Sequence, residues 1–162
     1  MRLFATLVFS GFVLAAFPVL AQEAGSSAAT NMEILKEKLK ADKKLIVANN
    51  MELNDAEAKA FWPLYDGYQK ELHQVNDRLV KVIGDYAAAY NEGKGSIKDD
   101  TAKKLMGEYL AIEESEVKLK QSYAAKIGKV LPATKTTRYI QIENKIRALI
   151  RYELAAQIPL VY

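Results

Sequence analysis

FWPLYDGYQKELHQVNDRLVKVIGDY, residues 61–86, places eight apolar side chains at spacings of 4, 3, 4, 3, 4, 3 and 4: Phe61, Tyr65, Tyr68, Leu72, Val75, Leu79, Val82 and Tyr86. That rhythm lays one unbroken apolar stripe along a helix about seven turns long. The mean period lies nearer 3.5 than 3.6, which keeps the stripe turned toward a partner helix over its whole length. A second stripe follows at Leu105, Tyr109, Ile112, Glu116, Leu119, Tyr123, Ile127 and Val130, with Glu116 as its one polar member. Between the two, Asn91 to Ser96 carries Gly93 and Gly95, which punctuate helices. The pair predicts a long antiparallel helical hairpin whose tip is Asn91 to Ser96.

Local signals bound the elements. In Leu53-Asn54-Asp55-Ala56-Glu57, Asn54 can cap a new helix while Glu57 completes a capping box. That helix should run to about Tyr90, with a kink or break near Phe61 to Pro63 where proline deletes a backbone hydrogen bond. Asp99 and Asp100 are expected to cap the return helix, which extends to about Leu131 before Pro132. A first helix carries Met32, Ile34, Leu35 and Leu39, then Leu45 to Val47, and stops at Asn49-Asn50. The last begins near Ala133, with Tyr139, Ile142, Ile146, Leu149 and Ile150 as its apolar face, and leads into the tail Ile158-Pro159-Leu160-Val161-Tyr162. The fold class is all-α: a long antiparallel helical hairpin with shorter N- and C-terminal helices packed at one end, four helices in all. The tip is left bare, and a thin two-helix end calls for a dimer or a bound partner.

The N-terminus has the form of a secretory signal. Arg2 supplies positive charge, Leu3 to Leu20 is an apolar run, and Val19-Leu20-Ala21 has the small-x-small shape of a cleavage site. An uncleaved anchor is the competing reading of such a run, but Pro18 just before the site favours removal. The organisation is then a signal peptide at 1–21, a flexible leader at 22–30 and a single all-α domain at 31–162. Arg2 is the one charged residue removed, so the formal charge drops from +3 to +2. Interspersed acids and bases argue against a nucleic-acid groove or a polybasic membrane patch. The chain has no cysteine, which excludes disulfides, thiolate metal sites and cysteine nucleophiles. Export without a thiol fits the bacterial periplasm.

With this pattern the chain resembles the Spy/CpxP-type periplasmic proteins, the LTxxQ-motif family of small all-α chaperones and their metal-sensing relatives. Leu53, Asn54 and Glu57 open a long helix where the family has Leu-Thr-x-x-Gln, and Leu131-Pro132-Ala133-Thr134-Lys135 is a weaker echo at the start of the last helix. Asn54 stands in place of threonine and Glu57 in place of glutamine. The resemblance implies a helical hairpin that dimerises into a cradle and shields unfolded clients without ATP.

Few residues suggest chemistry. His73 is the single histidine, and a register pairing Tyr86 with Leu105 puts Glu116 near Val75, within a turn of His73. A His73–Glu116 polar pair would explain the polar entry in the second stripe; the alternative is a solvated histidine and a glutamate reaching out of the seam. No histidine pair stands at helical spacing, and Met32, Met51 and Met106 are read as core fillers, so neither a metal nor a cofactor is expected. Glu113, Glu114 and Glu116 can pair with Lys118 and Lys120 along the helix. No nucleophile elbow or phosphate loop is present, so no enzyme is predicted. Trp62, Ile83, Tyr90, Leu110 and Val117 lie beside the stripes; they meet the terminal helices or form a client or dimer surface.

The function these readings favour is that of a non-enzymatic periplasmic protein-binding protein, a Spy/CpxP-like ATP-independent chaperone or envelope-stress adaptor. Its partners would be unfolded clients or a membrane sensor, and a second copy in a homodimer. Nucleic acid and membrane insertion after signal cleavage are not expected. The competing reading is a periplasmic sensory module for metal or envelope stress that signals to a membrane partner.

Overall fold

Residues 42–161 are described by the computed structural model, and they form four helices and no strand. The expected signal peptide, the leader and the first-helix positions Met32 to Leu39 lie outside the described residues. α1 is described over residues 42–51, and is followed by α2 (Asp55–Glu92), α3 (Asp99–Ile127) and α4 (Ala133–Gln157). The chain is all-α, and α2 and α3 form the antiparallel hairpin.

Every turn of α2 is dictated by its stripe. Phe61, Tyr65, Tyr68, Leu72, Val75 and Val82 are buried, and Leu79 and Tyr86 pack partly buried against them. From α3 come Leu105, Ile112, Leu119, Tyr123 and Ile127, with Glu116 buried among them. Tyr109 and Val130, assigned to the same stripe, stay partly open, at 42% and 37% exposure. Tyr68 meets Tyr123 edge-on with ring centroids 5.4 Å apart, which is the register expected from pairing Tyr86 with Leu105. The Tyr123 hydroxyl donates to Glu71 Oε1 at 2.6 Å, and that bond pushes its pKa up to about 12. Gly67 makes the crossing possible: a Cβ there would stand 2.9 Å from the Tyr123 hydroxyl.

Helix ends depart from expectation in four places. α2 continues unbroken through Pro63. Pro63 and Lys59 both lie on the exposed side, so the Lys59 carbonyl that proline leaves without a donor faces water. α1 does not stop at Asn49-Asn50; Asn50 Nδ2 donates back to the Ile46 carbonyl at 2.8 Å, and the left-handed residue is Glu52, at φ 50°. α3 is capped at Lys98 without a side-chain bond. Asp99 and Asp100 instead occupy its first turn, where they favour the positive end of the helix dipole. α3 also ends at Ile127, four residues early, through a turn at Gly128 whose N–H bonds the Ala124 carbonyl. At the tip, Gly93 is required because a Cβ would collide with the Ser96 carbonyl, and Gly95 takes φ 100°.

α4 is the largest departure. It starts at the expected end, where Lys135 Nζ bonds Glu57 Oε2 at 2.6 Å and the Glu52 carbonyl at 2.8 Å. It does not stay there. Tyr139 stacks edge-on to Phe61 at 5.1 Å, Gln69 bonds Glu143 at 2.9 Å, Asn76 accepts from Arg147 at 2.7 Å, and Tyr86 reaches the Pro159 carbonyl at 2.7 Å. The helix therefore runs parallel to α2 along the hairpin, and the tail comes close to the tip that was expected to be bare. Twenty-five helical residues span about 37 Å at 1.5 Å each, enough to do so. Long side chains rather than close backbone approach join α4 to α2.

The capping box is present as read: Glu57 N–H donates to Asn54 Oδ1 and Asn54 N–H to Glu57 Oε2, both at 2.9 Å. Asn54→Ala should cost about 1 kcal/mol, lowering the thermal midpoint by a few degrees in circular dichroism with helix content unchanged at 20 °C.

Candidate functional site

α4 carries two competing patterns, and the charged one faces in. Tyr139, Ile142, Ile146, Leu149 and Ile150 are the apolar positions that periodicity assigns to the core, while Glu143, Arg147 and Arg151 recur at a spacing of four on the neighbouring face. In the structure the inward residues are Tyr139, Glu143 and Arg147, with Arg151 beyond them. Leu149 is 64% exposed, Ile150 45% and Tyr152 72%; Ile142 and Ile146 are half-buried. The expected apolar face is thus only partly covered. Turning it in would have taken both guanidinium groups from Glu116 of α3 and left Lys120, 3.9 Å away on the same helix, as the cation beside a buried carboxylate.

Glu116 is the centre of this seam. Arg147 donates from Nε at 3.0 Å and from Nη2 to the same Oε2 atom, and its Nη1 bonds Asn76 Oδ1 at 2.7 Å. Arg151 adds Nη2 to Glu116 Oε2 at 3.0 Å and Nη1 to Glu113 Oε1 at 2.7 Å. The Tyr109 hydroxyl donates to Glu113 at 3.0 Å, and Lys120 approaches Glu116 at 3.9 Å. Burial by itself would raise the Glu116 pKa, but the hydrogen bonds and charges of the two guanidinium groups outweigh it and hold the carboxyl below its ordinary range. Glu143, also buried, accepts from Gln69. Burial and the neighbouring Glu143 carboxylate push the enclosed Tyr139 hydroxyl up.

Toward the tip the ionic seam gives way to an apolar groove of about 560 Å³. Leu79 and Ile83 of α2, Leu105 and Met106 of α3, Leu154 of α4 and Ile158 of the tail form its walls, and Arg147 and Arg151 stand at one end. Tyr86, stacked on Tyr90 with centroids 5.9 Å apart and planes at 22°, ties the tail to the hairpin through Pro159.

The residues singled out from sequence separate. Trp62 packs edge-on against Phe61 and Tyr65 at 5.1 and 5.3 Å, next to the core. Ile83 lines the groove and Tyr90 sits beside Gly95 near the tip. Leu110 and Val117 are 56% and 52% exposed, and Met106 is 59% exposed instead of filling the core. Trp62 and Tyr90 lie 28 positions apart on one helix, about 42 Å, so the five do not form one patch. The His73–Glu116 pair is not made: His73 is exposed, with Nε2 3.7 Å from Asp77, because the arginines of α4 take Glu116. Glu114 does pair with Lys118, at 2.6 Å, as helical spacing predicts. Leu53, Asn54 and Glu57 act as a joint, where Glu57 meets Lys135 of the second motif-like segment. The Lys135 and Asn54 hydrogen bonds lower the Glu57 pKa.

Arg147 and Arg151 are the functional-site residues that sequence reasoning missed. Their spacing of four, set against Glu113 and Glu116 three apart, was the available signal. Among the described residues no three histidine, aspartate or glutamate side chains converge on a metal site, and no helix is long and apolar enough to cross a membrane. No protein-family model, curated protein or solved structure matches the chain.

Glu116→Gln leaves Arg147, 12% exposed at its side chain, without its counter-charge. Breaking a buried pair in this way costs about 3 kcal/mol, at the low end of the range because Arg151 is 43% exposed and water can serve it. The depressed carboxyl pKa also sets a pH dependence. Glu116 contributes its full stability above about pH 4.5, the ordinary value, and that contribution is lost as pH falls through the lower pKa of the folded state. Urea unfolding at stepped pH should show the gap between wild type and Glu116→Gln wide at pH 7 and narrowing below pH 4.5.

Proposed function

We propose that this chain is a non-enzymatic protein-binding protein of the periplasm, a divergent Spy/CpxP-like chaperone or envelope-stress adaptor that works without ATP. The observation that carries this reading is the orientation of α4. Its charged seam is used internally, and Leu149, Ile150 and Tyr152 are left in water. On α3, Met106, Leu110 and Val117 are likewise exposed, at spacings of four and seven that put them on one side of the helix. Apolar side chains set among lysines and glutamates are the composition of an association surface, since burial against another chain recovers about 25 cal/mol per Å². The charged surroundings keep such a surface soluble and let clients leave.

The capping-box segment at Leu53 supports the family likeness, as does its salt bridge to Lys135, which ties together the two stretches that resemble the family motif. A second copy of the chain is part of the proposal, and sedimentation equilibrium measures it directly. The functional test is suppression of aggregation of a chemically denatured test protein, without nucleotide, at near-stoichiometric ratios. Suppression should fall severalfold in a Leu149→Lys, Ile150→Lys double variant while its thermal midpoint moves by less than about 2 °C, as expected for exposed positions. Absence of suppression by the wild-type chain at severalfold excess rules the chaperone reading out.

A further inference from the structure

The groove between the hairpin and the end of α4 carries chemistry of its own. Its walls are mostly aliphatic, with Tyr86 and Tyr109 among them, and the two arginines at its inner end are already matched by Glu113 and Glu116, which leaves no surplus charge for an ionic headgroup. One edge is formed by residues 158–161 of the same chain. Ile158 is extended, at φ −94° and ψ 114°, and is half-buried, whereas Leu160 and Val161 remain 73% and 50% exposed. The tail is held by the Tyr86 hydroxyl, which donates to the Pro159 carbonyl. A cavity of about 560 Å³ persists beside it, so the tail lies against the groove without filling it.

We infer that this groove is a binding site for an extended aliphatic peptide segment, and that residues 158–161 stand at its edge as an internal competitor. The tail displays the chemistry the groove accepts: branched aliphatic side chains, an extended residue at Ile158, and one carbonyl presented to a tyrosine hydroxyl. An incoming segment offers the same groups and can fill the remaining volume, which falls in the size range of ligand pockets. The tail is tethered at high effective concentration, so it lowers the apparent affinity for outside segments and is displaced by better-fitting ones. This inference rests on the protein-binding reading above and names the class of segment bound.

The test uses full-length chains and a fluorescein-labelled peptide of residues 156–162, AQIPLVY, followed by anisotropy. An Ile158→Asp, Leu160→Asp variant expels the tail; it should bind the peptide at least about tenfold more tightly than wild type, by loss of the tethered competitor. Met106→Glu, at an exposed position on the groove wall, should abolish binding when added to the tail-expelled variant. Equal affinity in wild type and tail-expelled chains overturns the inference, as does no binding to the latter at millimolar peptide. Binding of decanoate with no binding of peptide also overturns it and makes the groove an amphiphile site. The same variants in the aggregation assay separate the two claims. Suppression that persists in all of them without peptide binding removes the groove alone, and peptide binding without suppression removes the chaperone reading alone.

Discussion

A carboxylate shut inside a helical seam decides how this protein is put together. Glu116 occupies a position of α3 that faces the core, and it is 3% exposed. A charge so placed has to find a partner or be neutralised. The partner is Arg147, backed by Arg151. Satisfying that group, together with burial of Tyr139 against Phe61, lays α4 along the hairpin with Tyr139, Glu143 and Arg147 inward, and the exposed aliphatic side chains, the groove near the tip and the position of the tail accompany that arrangement.

The division between what was legible in the sequence and what was not has the same origin. The α2 stripe could be read because hydrophobic burial is additive and local: each of its residues needs only an apolar neighbour, so spacing alone reveals the face. The hairpin register and the capping box at Asn54 and Glu57 were legible for similar reasons, since both depend on residues whose separation in the chain is known. α4 was opaque because its orientation depends on a single charge on another helix. Periodicity assigned Leu149 and Ile150 to the core; pairing of Glu116 with Arg147 and Arg151 put them in solvent. Glu116 was conspicuous as a misfit, yet both readings of it, a pair with His73 or a glutamate reaching out of the seam, left out the arginines of α4. The break allowed for at Pro63 does not occur, since the rule that proline breaks helices takes no account of a freed carbonyl that faces water.

The aromatic end and the aliphatic end of the molecule do different work. Tyr139 meets Phe61, Tyr65 and Tyr68 edge-on at 5.1 to 6.2 Å, a packing that gains more than its buried area. Near Tyr86 the walls are mostly aliphatic and the cavity is open. Rigidity at one end and accessible apolar surface at the other suit a protein that must remain folded while offering part of its interior to something else.

The ionic seam also defines what the last helix recognises. Glu113 and Glu116, one turn apart on α3, stand together as a two-carboxylate receptor for it. α4 answers it with guanidinium groups along its second half, while its first half is anchored by Tyr139, buried against Phe61. The end of the final helix is thus held by electrostatic recognition within the molecule, as a ligand is, and is the part of it best placed to come away while the aromatic anchor holds.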